Sequence, residues 1–158
     1  MKANLSEIRK RACPVTQYIE SLEQPFHEKF IARKQLYQLK KEALNKLKKF
    51  ANKYLILVFS AEWCIDCTAN VPVLALISEK TGLEVRVLGG LKKDPLSTER
   101  KWRIPPSPPE VDIFRVDKIP LIILFDKEGN EVGRVVENPR EKPTLEEELL
   151  KIILKEQQ

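Results

Sequence analysis

The chain has 158 residues, 42% of them hydrophobic and 32% charged, which supports one domain with a modest appendage and excludes a disordered or fibrous chain. Its 28 basic and 23 acidic residues leave a net charge of +5; much of the excess lies between Arg33 and Lys53 and reads as a solvated helix face, since no nucleic-acid motif accompanies it. No apolar run reaches the roughly 18–20 residues that span a bilayer, and Met1 to Pro14 has no apolar signal core, so the expectation is a cytoplasmic protein with neither membrane nor nucleic acid as partner.

Residues 1–33 are expected to form an N-terminal helical extension, and residues 34–158 the main α/β domain. From about Gln17 to Asn52 the pattern is helical, interrupted near Pro25. Leu36, Leu39, Ala43, Leu47 and Phe50 recur at steps of three and four, predicting one apolar stripe on a long lysine-rich helix. Tyr54 to Phe59 is a continuous apolar run, suited to a strand buried on both faces. A helix follows over Thr68 to Lys80 and ends at Thr81-Gly82, where glycine favours termination. Leu83 to Leu88 alternates as a strand. Asp94 to Trp102 fits a short helix with Asp94 as N-cap and Pro95 at the first helical position. The prolines from Ile104 to Pro109 predict an extended connector. Leu121 to Phe125 reads as a buried strand, Asp126 to Asn130 as a turn, and Glu131 to Val136 as the return strand of a hairpin. Thr144, with Glu147 three residues on, opens the last helix as a capping box, and Leu145, Leu149, Ile152 and Ile153 supply its buried face. This order predicts a mixed central sheet flanked by helices.

Three cysteines are too few for a disulfide scaffold. Cys13 stands alone beside Pro14, and His27 is the only histidine. A zinc site needs four ligands from cysteine, histidine or carboxylates, and with no second CxxC and no histidine pair neither metal nor cofactor is expected within one chain. Cys64 and Cys67 stand where a strand passes into a helix. That junction puts the first sulfur beside unsatisfied backbone N–H groups and the positive end of the helix dipole. Both favour the thiolate, the nucleophile of disulfide exchange, and the two-residue gap lets the second thiol close a small ring and resolve a mixed disulfide.

Ala61-Glu-Trp-Cys-Ile-Asp-Cys67 resembles the active-site segment of thioredoxins, and within that superfamily is similar to small bacterial and archaeal thioredoxin-like proteins with a Trp-Cys-x-Asp-Cys motif. Pro72 matches the proline that bends their active-site helix, Ile119-Pro120 resembles their cis-proline segment, and the Gly129 turn the hairpin after it. The resemblance covers about Lys34 to Lys155, and the family's usual first strand is hard to find before Lys34. It implies a thioredoxin-like fold, with Cys64 attacking and Cys67 resolving. It also implies that Pro120 is cis, which brings the Ile119 backbone beside the sulfurs to pair with a substrate strand, while Trp63 forms an apolar lip.

The departures carry expectations of their own. Ile65 and Asp66 replace the family's Gly-Pro. The charge of Asp66, with Glu62, opposes the dipole and raises the thiolate's pKa somewhat, which predicts a reductant. Val58 stands where thioredoxins carry a buried acid, so either water or another carboxylate takes the proton, and Glu137 is the candidate because it falls near the place of the family's groove glycine. The stretch from Leu91 to Lys118 is longer than in a minimal thioredoxin and either shapes the groove or is a surface insertion. The function expected from the resemblance is reduction of disulfide-containing protein substrates, with recharging by a thioredoxin-reductase-like donor. Two other readings are a binding or adaptor module with little redox turnover, and a metal or iron–sulfur site shared by two chains.

Overall fold

The computed structural model describes residues 2–96, 102 and 107–158. Asn4 caps the first helix, α1 (Leu5–Arg11), by accepting from the Glu7 N–H at 3.1 Å. A two-residue strand, β1 (Cys13–Pro14), leads into α2 (Val15–Glu20) and α3 (Phe26–Leu36). The chain is extended at Tyr37 and at Lys40 before α4 (Lys41–Leu47) and a short 3-10 turn at Lys48–Phe50. Then come β2 (Tyr54–Phe59), α5 (Ile65–Thr81), β3 (Glu84–Leu88), α6 (Glu110–Ile113), β4 (Leu121–Asp126), β5 (Glu131–Val136) and α7 (Leu145–Gln157).

The five strands form one mixed sheet in the order β1-β3-β2-β4-β5. β2 runs parallel to β3 and antiparallel to β4, so every residue from Tyr54 to Phe59 is buried. Covered faces and two paired edges explain why this strand shows no polar alternation. The helices α2, α3 and α4 pack on α5, and α7 packs on α4 and β5. The result is an α/β thioredoxin-like fold.

Three expectations need correction. The strand not found before Lys34 is β1, whose Cys13 and Pro14 pair antiparallel with Val87 and Arg86 of β3. Two residues, one of them proline, leave no period-2 signal, and proline is tolerated here because the strand lies on an edge. The long lysine-rich helix is broken between Leu36 and Lys41, and Leu36 points to solvent instead of joining the apolar stripe. The break is fixed from far along the chain. Fully buried Glu146 of α7 accepts from the Tyr37 hydroxyl and from the Lys40 N–H, each at 2.8 Å, which supplies a partner to the start of α4. The third correction concerns α7 itself, whose inner face carries Glu146 and Glu148 beside Leu145, Leu149 and Ile153. Glu148 gathers the N–H groups of Arg140, Glu141 and Lys142 at 3.1, 3.0 and 2.9 Å. Buried carboxylates are tolerated when donors surround them in this way.

The β4–β5 turn holds the N-terminal segment. Ala3 donates to the Gly129 carbonyl at 2.8 Å, and Gly129 has φ +89°, where a Cβ would collide with the Ala3 carbonyl oxygen. The short helix expected from Asp94 to Trp102 and the Ile104–Pro109 connector fall largely outside the described residues.

Candidate active site

β2 delivers the chain to the end of the sheet, and Ser60 to Trp63 turn it into α5. Cys64 is the N-cap, with the extended backbone (φ −82°, ψ 123°) usual at that position. Its sulfur does what a serine or aspartate oxygen does in other caps, accepting from the Cys67 N–H at 3.2 Å. Its carbonyl accepts from the Thr68 N–H and hydroxyl, both at 3.0 Å. On the facing segment the Ile119–Pro120 peptide bond is cis, and the Ile119 carbonyl oxygen lies 3.6 Å from the Cys64 sulfur. β4 begins one residue later, with Leu121 paired to Phe59, so the two segments are held together by adjacent strands.

The two thiols are free and electrostatically unequal. Cys64 is lowered to about 7, first by the hydrogen bond from the Cys67 thiol, against desolvation, and then by the backbone N–H groups of Cys67 and Asp66. Cys67 is fully buried, and desolvation followed by its hydrogen bond to Cys64 pushes it far up. One sulfur is thus poised as thiolate and its neighbour kept as thiol. The charge of Asp66 acts upward on Cys64 as expected, but it is the smallest of the named causes and the net shift is downward. Asp66 thus has the expected sign and is outweighed by the groups that lower the thiol. The Asp66 carboxylate is engaged elsewhere, by the Asn138 amide at 3.1 Å.

Trp63 is half-exposed and stacks on Trp102, ring centroids 6.2 Å apart. Trp102 belongs to the long stretch before Lys118, and its indole N–H donates to the Asp117 carbonyl at 2.9 Å. Ile65, 85% exposed, stands beside the sulfurs. Trp63 and Ile65 border an open cavity of about 430 Å³ shared with Phe26, Lys29, Arg33 and Thr68. Glu137 joins the neighbourhood through its backbone. Its N–H donates to the Pro120 carbonyl at 2.8 Å and its carbonyl accepts from the Asn70 amide at 3.0 Å, while its carboxylate lies 3.6 Å from Arg140. Val58, at the position of the missing acid, is fully buried among apolar groups. Among the described residues no cluster of three or more histidine, cysteine or carboxylate side chains gathers, and no helix is long and apolar enough to cross a membrane.

Sequence reasoning passed over several groups here. Asn70 bridges the Asp66 carbonyl, the Glu137 carbonyl and the Asn138 side chain at 2.9, 3.0 and 2.8 Å, tying the active-site helix to the end of β5. Ser60, a position visible next to the cysteine motif, stands beside the Cys67 thiol and acts to lower it against burial. Tyr18, which nothing in the sequence linked to the site, meets Ser60 at 3.1 Å.

A thioredoxin-like α/β fold carrying an adjacent Cys64–Cys67 pair at a helix N-terminus is the class these features define. The thioredoxin family model matches residues 12–101, and the chain belongs to that family. Among solved structures, a protein of unknown function from Pseudomonas aeruginosa is similar over 98% of this chain and 99% of its own, at 18% identity and a TM-score of 0.74. An HIV epitope-scaffold is similar over 97% of this chain and 99% of its own, at 17% identity and a TM-score of 0.71. At these identities the likeness is one of fold. No curated protein matches the sequence.

Proposed function

We propose that this protein is a thiol–disulfide oxidoreductase that reduces disulfides in protein substrates. The observation that carries the reading is the Cys64 sulfur capping α5, lowered to about 7 and 3.6 Å from the Ile119 carbonyl. The Cys64 thiolate attacks a client disulfide, giving a mixed disulfide and releasing one client sulfur as thiolate. Cys67 then attacks the Cys64 sulfur, the second client sulfur leaves, and the protein is left with a Cys64–Cys67 disulfide. A dithiol donor of the thioredoxin-reductase type returns it to the reduced form.

Ile119 presents its backbone to an extended client segment, with Pro120 holding that backbone at the sulfurs. Trp63 and Ile65 supply apolar contact around the client cysteine, and Asp66 lies at the edge of the same surface. A first thiol near 7 fits a reductant better than an oxidase, whose much more acidic thiol stabilises the reduced form strongly. A reductant also suits a cytoplasmic address, where thiols are kept reduced. Glu137 remains a candidate acceptor for the Cys67 proton, and Glu137→Gln should then alter the pH–rate profile of reduction.

Dithiothreitol-driven reduction of insulin, followed as turbidity, tests the reading. The wild type is expected to accelerate precipitation and Cys64→Ser to abolish the effect. Cys67→Ser is expected to accumulate mixed disulfides on Cys64. A wild type inactive with insulin and with other disulfide substrates would refute the reductase and favour the adaptor.

A further inference from the structure

The resolving step needs a thiolate at Cys67, yet that sulfur is fully buried and the position of the missing acid holds Val58. Among the groups that act on it are the Ala61 N–H, the Ser60 hydroxyl and the Cys64 sulfur. Ser60 is itself fully buried, anchored by its N–H to the Leu88 carbonyl at 3.1 Å. Its hydroxyl meets the Tyr18 hydroxyl at 3.1 Å. The Tyr18 ring is fixed on two sides. It packs edge-on against Phe30 with centroids 6.2 Å apart, and it lies so close over Gly89 that a Cβ there would sit 2.5 Å from the ring. Three elements distant in sequence, α2, the end of β2 and α5, therefore converge on one buried line of hydroxyl, hydroxyl and sulfur.

We propose that Ser60 is a catalytic hydroxyl of the resolving step and Tyr18 its positioning residue, the pair donating hydrogen bonds to the Cys67 sulfur as it becomes a thiolate. The inference rests on the reading of Cys64 and Cys67 as an exchanging pair and assigns the means by which the second of them is activated. In that step the bond between Cys67 and Cys64 sulfurs forms, the bond from Cys64 to the client sulfur breaks, and its electron pair leaves with the client. The proton lost by Cys67 balances the one taken up by the client thiolate, so no outside oxidant or base is consumed. Either hydroxyl of the pair can donate to the other, so once Cys67 is a thiolate the two can donate in sequence, Tyr18 O–H to the Ser60 oxygen and Ser60 O–H to the sulfur. Burial raises the Tyr18 phenol, so it stays a neutral donor. Hydroxyls are less costly to bury than a carboxylate, and a hydrogen bond to a charged sulfur is stronger than one to a neutral group. The ionisable groups facing this line are Cys64, Cys13 on β1 and Glu62 ahead of α5. Among the described residues the hydrogen-bond partner of the Tyr18 hydroxyl is Ser60.

The test is stopped-flow reaction of the reduced protein with dithionitrobenzoate, in a Cys13→Ala background. The first coloured thiolate reports attack by Cys64, and the second reports resolution by Cys67. Ser60→Ala is expected to slow the second phase about tenfold and to move its pH midpoint upward, leaving the first phase unchanged. Tyr18→Phe, which keeps the ring packing, is expected to act in the same direction by about threefold, half the effect on a logarithmic scale because one hydrogen bond intervenes. Ser60→Thr, which keeps the hydroxyl, is expected to retain the wild-type second phase. A second phase with wild-type rate and midpoint in both Ser60→Ala and Tyr18→Phe overturns the inference, as does equal slowing of both phases. A wild type with no first phase would instead refute the exchange reading and take this inference with it.

Discussion

Replacing Cys67 by alanine removes the hydrogen bond that contributes most to the lowering of Cys64 from the ordinary 9.0 to about 7. At pH 7 the wild-type sulfur is about half thiolate, against about one part in a hundred for a thiol titrating at 9.0. That roughly fiftyfold gain is offset by weaker intrinsic nucleophilicity. With a Brønsted slope of about 0.4–0.5, two units of acidity cost about eightfold in reactivity per thiolate. The net advantage of the wild type at pH 7 is then about sixfold, and it is the most Cys67→Ala can lose if the whole shift disappears. By pH 10 both sulfurs are at least about nine-tenths ionised and the sign has reversed, the variant reacting faster by up to about eightfold. The assay is iodoacetamide alkylation from pH 5 to 10, with each cysteine read separately by peptide mass spectrometry. The expected result is a wild-type Cys64 rate rising with pH through about 7, a variant midpoint displaced upward, and two profiles that cross. Cys13, raised by its own burial, is expected to titrate later than wild-type Cys64. A wild-type midpoint at 9, or identical midpoints in wild type and variant, would refute the assignment of Cys67 as the donor that lowers Cys64.

Glu146→Ala is expected to cost about 2 kcal/mol in urea unfolding, because it strands the Tyr37 hydroxyl and Lys40 N–H, both of which donate to the buried carboxylate at 2.8 Å; Glu146→Gln, which keeps an acceptor, is expected to cost less. Gly129→Ala forces a side chain onto a φ of +89° and into the Ala3 carbonyl. It is expected to cost about 1–3 kcal/mol and to speed amide exchange at Ala3, whose N–H donates to Gly129; unchanged exchange at Ala3 would show that the turn does not hold the N-terminal segment.

What the sequence determined by itself is what depends on neighbours along the chain. The buried strands Tyr54–Phe59 and Leu121–Asp126 declare themselves as apolar runs. The end of α5 is written in Gly82, which takes the left-handed conformation that glycine alone enters without strain. The start of α7 is written in Thr144, whose side chain accepts from the Glu147 N–H. The position of Cys64 at a helix N-terminus is legible too, because motif and junction are contiguous. Tertiary structure decided whatever joins residues far apart in sequence. The break after Leu36 is set by a carboxylate on α7, about 110 residues away. The edge strand at Cys13–Pro14 exists only because β3 offers its unpaired groups. The sign of the shift at Cys64 is a balance among a thiol donor, backbone N–H groups, desolvation and one carboxylate turned toward Asn138; the charges are visible in the sequence, but their distances and orientations are not. For the same reason Tyr18 carried no signal: a hydroxyl becomes part of a site only when folding sets another hydroxyl 3.1 Å from it and excludes water from both.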